Sequence, residues 1–116
     1  MPTTITLPKA IENGTMVIIV SFTNENNQPI PPKTMTWTLT DMVGNIINSR
    51  HTIPFGVMST TLTAVLSASD LALTTTHDAK RVFTIEGTYD SDYGTNLPFN
   101  DQATFTIQNL IHIVTA

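Results

Sequence analysis

The stretch DSDYGTNLPFND, residues 90–101, gathers Asp90, Asp92 and Asp101 around Gly94 and is the densest set of oxygen ligands in the chain. A calcium site draws several such oxygens from one flexible loop. The spacing departs from the EF-hand pattern. Gly94 stands where a third ligand is needed, the turn glycine is displaced, and the closing acid is Asp101 instead of a bidentate Glu. Asp90, Ser91 and Asp92 are also good turn formers in their own right. The expectation is therefore a solvated polar loop, with no residue assigned as a metal ligand.

The other reactive side chains are scattered. His51, His77 and His112 lie in separate segments, with no HxH or HxxxH spacing to align them on one element. Ser69, Asp70 and His77 include the residue types of a hydrolase, but no GxSxG elbow accompanies them. The glycines stand singly at turns, so no phosphate-binding loop is present. Tyr89, Tyr93 and Phe99 could form an aromatic binding patch, although a buried Tyr89 within ordinary loop packing is the stronger expectation. No catalytic, cofactor-binding or metal-binding residue is assigned, no cofactor is implied, and no enzymatic activity is expected.

The elements that would position these residues are short and β-like. TTITL (3–7) reads as a first strand, and Asn13-Gly14 turns the chain into MVIIVSFT (16–23), where Met16, Ile18, Val20 and Phe22 share a face. NENNQPIPPK carries three prolines that lack amide donors and is a loop. TMTWTLT (34–40) puts Met35, Trp37 and Leu39 on one side and threonines on the other. DMVGN is a turn into IINSR (46–50), expected as a strand, and VMSTTLTAVLS (57–67) alternates again. In SASDLAL (67–73), Ser67 or Ser69 caps one helical turn carrying Asp70. KRVFTIEGTYD (80–90) turns Phe83, Ile85 and Tyr89 inward, the polar loop follows, and QATFTIQ (102–108) is the last clear strand.

Composition limits what this framework does. At 116 residues the chain has the size of one domain (1–116) with extended terminal segments. Charged residues make up 12%, about half the usual share (~25%), so threonine, asparagine and serine cover the surface. Uncharged polar groups are cheaper to desolvate in a protein contact than Lys or Glu, which hints at assembly. Thr-rich sandwiches are often charge-poor as well, and that reading stays open beside it. The net charge of −4 argues against nucleic-acid binding, which needs clustered Lys and Arg. The absence of cysteine excludes disulfides and thiolate metal sites. No apolar run reaches the ~20 residues of a membrane span, and MPTTITLPKAIENG lacks the pattern of a signal peptide, so no membrane partner or secretion by that route is expected.

About seven strands with turns every ten residues or so, and no long helical pattern, describe an all-β fold: one antiparallel β-sandwich with a short helical turn. An apolar second strand, a Trp in the middle of the third, and a one-turn helix before a penultimate strand resemble an immunoglobulin-like domain of the cysteine-free kind. A related sandwich such as a jelly roll is the alternative. A narrower resemblance runs through VSFTNENNQPIPPKTMTWTLTDMVGNIINSR and RVFTIEGTYDSDYGTNLPFNDQATFTIQNL. These stretches, largely strand and turn patterns, look like small Ig-like structural proteins of tailed-bacteriophage virions.

That resemblance implies a capsid decoration or cement protein, made in the host cytoplasm and placed on the capsid exterior. Its partner would be the major capsid protein or another virion protein, with a homo-oligomer as a further expectation. The alternatives are a tail, neck or baseplate adaptor and, more remotely, an adhesion or carbohydrate-binding module. The elements expected to make contact are the uncharged Thr faces, TTITLP, NLIHIVTA, and loops 24–33 and 90–101.

Overall fold

A computed structural model describes residues 3–73 and 78–109 of the chain. The alternation of apolar and polar residues produces two sheets whose apolar sides face each other. One sheet has three strands in the order β1 (Thr3–Thr6), β3 (Thr15–Phe22), β6 (Thr61–Ser67). The other has five, in the order β2 (Ala10–Ile11), β8 (Gly94–Gln108), β7 (Ala79–Ser91), β4 (Thr34–Thr40), β5 (Ile53–Pro54). The two sheets form an all-β sandwich, and its strand order admits immunoglobulin lettering, β1-β3-β6 as A-B-E and β8-β7-β4 as G-F-C. The first strand divides between the sheets. β1 pairs antiparallel with β3, whereas β2 pairs parallel with β8, so the sandwich is mixed instead of wholly antiparallel as expected.

The core follows the sequence period. Met16, Ile18, Val20 and Phe22 of β3 are buried, as are Met35, Trp37 and Leu39 of β4, Phe83, Ile85 and Tyr89 of β7, and Phe105 and Ile107 of β8. Trp37 lies across from Ile85 in the ladder and stacks on Phe83, with ring centroids 5.5 Å apart. At the other end Phe22 packs on Phe99 and Tyr89, with centroids 4.7 and 5.4 Å away. Gly87 lets β4 and β7 come close between these clusters. A Cβ there would stand 2.0 Å from the Thr34 carbonyl oxygen.

Two expected elements differ. Residues 46–50 are not a strand, because Asn48 and Ser49 take left-handed backbone angles (φ 52° and 57°) and fold the segment toward the helical turn. The strand partner of β4 is instead the two-residue β5. Residues 90–101 are not a loop. β7 and β8 form a long hairpin closed at Asp92-Tyr93, because Leu97 and Phe99 continue the inward alternation opposite Tyr89 and Gly87. Pro98 is accommodated at the sheet edge. Its partner Thr88 accepts the Lys33 amide at 2.7 Å and donates to the Thr34 hydroxyl at 3.1 Å, so Thr88 faces β4 and Pro98 directs its missing donor to solvent.

Trp37→Ala is expected to lower unfolding free energy by about 3–5 kcal/mol in urea titration, the cost of emptying a buried aromatic site. Gly87→Ala should also destabilise the fold, by forcing β4 away from β7; a midpoint equal to that of the wild type would contradict the close approach.

Candidate functional site

The helical turn Ala68–Leu71 carries Asp70, whose side chain is fully buried. Its carboxylate accepts two hydrogen bonds from Arg50, Nε at 2.8 Å and Nη2 at 3.1 Å. Asn48 Nδ2 donates at 2.8 Å and the Ser67 amide at 3.1 Å. The left-handed residues at 48–49 aim both Asn48 and Arg50 at this group, and the Arg50 guanidinium also lies 5.8 Å from the Trp37 ring centre. Burial pushes the Asp70 carboxyl up, but the hydrogen bonds from Arg50, Asn48 and Ser67 outweigh it and hold the group below its ordinary value. An ionised carboxylate with four donors has no proton to give and little freedom to turn. Asp70 therefore pins the 46–50 segment to the end of the sandwich. It is not grouped as a general base with Ser69, and His77 lies outside the described residues.

The hairpin disperses the acids of residues 90–101. Asp90 accepts the Asn96 main-chain amide at 2.8 Å beside Lys33, whose Nζ donates to the Asn96 side-chain Oδ1 at 2.7 Å. Asn96, at φ 52°, is the extra residue of a bulge between Tyr89 and Ser91. Asp101 faces the opposite side of the strand and accepts the Thr3 hydroxyl at 2.6 Å, a bond between the two sheets. Asp92 lies in the turn. Among the described residues no group of three His, Asp or Glu could hold a metal ion. His51 is exposed and His112 lies outside the described residues.

The three aromatics do not form a patch either. Phe99 and Tyr89 are in the core, while Tyr93 is exposed at the hairpin tip. The Tyr89 hydroxyl donates to Glu25, which also accepts from Ser91. That tyrosine bond, ahead of the Glu25 amide and the Ser91 hydroxyl, lowers the Glu25 carboxyl and in turn raises the Tyr89 phenol. This pair ties loop 24–33 to the hairpin, an interaction for which neither segment carried a sequence signal. The threonine side of β4 is also partly occupied. Thr34 shares a hydroxyl contact with Thr88 at 2.9 Å, and Thr38 accepts the Thr52 amide at 3.1 Å.

What remains open is the outer face of the three-stranded sheet. No Lys, Arg, Asp or Glu occurs anywhere in β1, β3 or β6. Thr4 and Thr6 of β1 flank Val17, Ile19 and Ser21 of β3, and Thr63 and Val65 of β6 complete the surface. Val17, Ile19 and Val65 are large apolar residues exposed there, with Val17 directly opposite Val65. The signal was readable, since TMVIIVSF is apolar on both sides of its middle. A second exposed apolar group, Met42 and Val43, stands on a rigid turn. The Asp41 carboxylate accepts the amides of Val43, Gly44 and Asn45 and the side chain of Asn45, and the last of these does most to keep the carboxyl below its ordinary value.

No protein-family model, curated protein or solved structure matches the chain. The site geometry stands alone.

The lowered Asp70 group contributes stability above the ordinary Asp value, about 3.9, and that contribution is lost as pH falls through the lower folded value. Asp70→Asn is expected to cost about 2 kcal/mol at neutral pH. The gap between variant and wild type should close as urea titrations move below about pH 4. A gap independent of pH would contradict an ionised, paired Asp70.

Proposed function

We propose that this chain is a non-enzymatic structural protein of a virion, a small sandwich that decorates the exterior of a tailed-phage capsid and reinforces it through protein contacts. The observation that supports this reading is the charge-free three-stranded sheet, with Val17, Ile19 and Val65 exposed among threonines. A face of this composition sheds its water at low cost when it meets another protein, and it carries no like charges to oppose repeated copies. The polar groups engaged within the fold support the same reading from the other side. Asp70 and Asn24 are engaged in holding turns, and Glu25 and Asp101 hold segments together.

The mechanism is interface burial. One copy covers a standard-size contact of roughly 1,600 Å² against the major capsid protein, and the symmetry of a shell multiplies that contribution. Assembly in the host cytoplasm suits a chain that folds without disulfides.

Quantitative mass spectrometry of purified particles tests the role. The expected result is this chain at a copy number that scales with the capsid subunit, together with loss of shell stability in particles lacking it. A handful of copies per particle would move it to the neck or tail. Its absence from particles would remove the virion role altogether.

A further inference from the structure

The strand β6 is an unguarded sheet edge. Its ladder with β3 is bounded by the Phe22 amide on the Thr60 carbonyl at 3.0 Å and the Ala68 amide on the Gly14 carbonyl at 2.9 Å. Main-chain groups alternate in direction along an antiparallel strand, so Leu62, Ala64 and Leu66 bond to β3 while Thr61, Thr63 and Val65 direct N–H and C=O outward. Ser67 also points outward, but its N–H is held by Asp70 at 3.1 Å. The three outward residues before it have no main-chain partner among the described residues.

Among the described residues the other edges are protected in recognisable ways. β1 is four residues long, β2 is two, β5 is two residues ending in Pro54, and β8, where it runs beyond β2, carries Pro98 and the bulge at Asn96. β6 has seven residues with no charge, proline, glycine or bulge.

We propose that β6 pairs antiparallel with β6 of a second copy of this chain, about a two-fold axis at Thr63. This register sets Thr63 opposite Thr63 and Thr61 opposite Val65, and it uses every outward N–H and C=O of those residues on both chains. Moving the axis to Ala64 would oppose Thr61 to Ser67, whose N–H is already taken. The capture of that amide by Asp70 thus selects the register. Buried Leu62 and Ala64 face each other on the inner side, and on the outer side the paired Thr63 hydroxyls meet with Ile19 of each copy beside them. No charged residue meets another, which is the condition for a strand to pair with itself without repulsion. A second copy satisfies the edge because its unpaired groups are symmetric about Thr63. The pairing joins the two three-stranded sheets into one, and it stands independently of the virion role.

The test uses the purified full chain. Sedimentation equilibrium should show a reversible dimer. Thr63→Lys, which sets two ammonium groups face to face at the axis, should weaken it by about tenfold or more while circular dichroism, and melting at dilutions where both chains are monomeric, stay unchanged. Because the chain has no cysteine, Thr63→Cys supplies a single thiol. With oxidised glutathione it should cross-link faster than Glu86→Cys on the exposed face of β7. A wild-type chain that stays monomeric at all concentrations overturns the proposal, as does a dimer that Thr63→Lys leaves intact. Equal cross-linking of the two cysteine variants, or a monomer that pairs only with a strand of another protein, overturns it too.

Discussion

A sandwich without a disulfide depends on the meeting of two apolar faces, and in this chain β3 supplies one face almost unbroken. Met16, Ile18, Val20 and Phe22 are buried in succession in one core cluster with the inward residues of β4 and β7, where a cross-link would otherwise hold the sheets together. The period of two carries consequences in both directions. It fixes the register of β3 against β1 and β6, because a slip by one residue would expose Met16 and Phe22 and bury Ser21. It also leaves Val17 and Ile19 outside, so the residues that make β3 a strong strand make its outer surface apolar.

The buried carboxylate at Asp70 does for one end of the sandwich what the aromatic cluster does for the other. A fully buried charge is tolerable only when paired and hydrogen-bonded, and its donors come from two separate segments, 48–50 and Ser67. Ordering those segments displaces the strand that residues 46–50 would otherwise form. At the far end Phe22, Tyr89 and Phe99 close the core, and Tyr89 reaches Glu25 to hold the adjoining loop. Specific polar contacts thus set the geometry of turns that the apolar core leaves free.

Strands whose inward side is strongly apolar were legible in the sequence, and TMTWTLT matches β4 residue for residue. The one-turn helix was also legible, from a serine placed before Asp70. What could not be read were elements decided by distant partners. The proline and aspartates of 90–101 read as a loop, yet the inward Leu97 and Phe99, and an edge position that spares Pro98 its missing amide, make this segment a strand. Residues 46–50 read as a strand because Ile46 and Ile47 suit one, and only the demand of Asp70 for donors, which pairwise spacing does not reveal, turns them aside. The candidate site had the same limit. Its acids are close in sequence, but alternation sends Asp90 and Asp101 to opposite faces, so a cluster on the page is none in space.

The two outer faces differ in a way that bears on how the protein sits in any assembly. The five-stranded sheet carries Lys80 and Glu86 on its exposed side, and several of its threonines are engaged with one another or with neighbouring main chain. The three-stranded sheet carries no charge and has threonine hydroxyls standing among exposed valine and isoleucine. Threonine suits both, because its branched carbon favours the strand while its hydroxyl can be hydrated or buried at modest cost. A charged side chain on β3 or β6 would have kept solubility with the same inward pattern, so the fold itself does not require its absence. That absence makes one side of the sandwich easier to desolvate than the other.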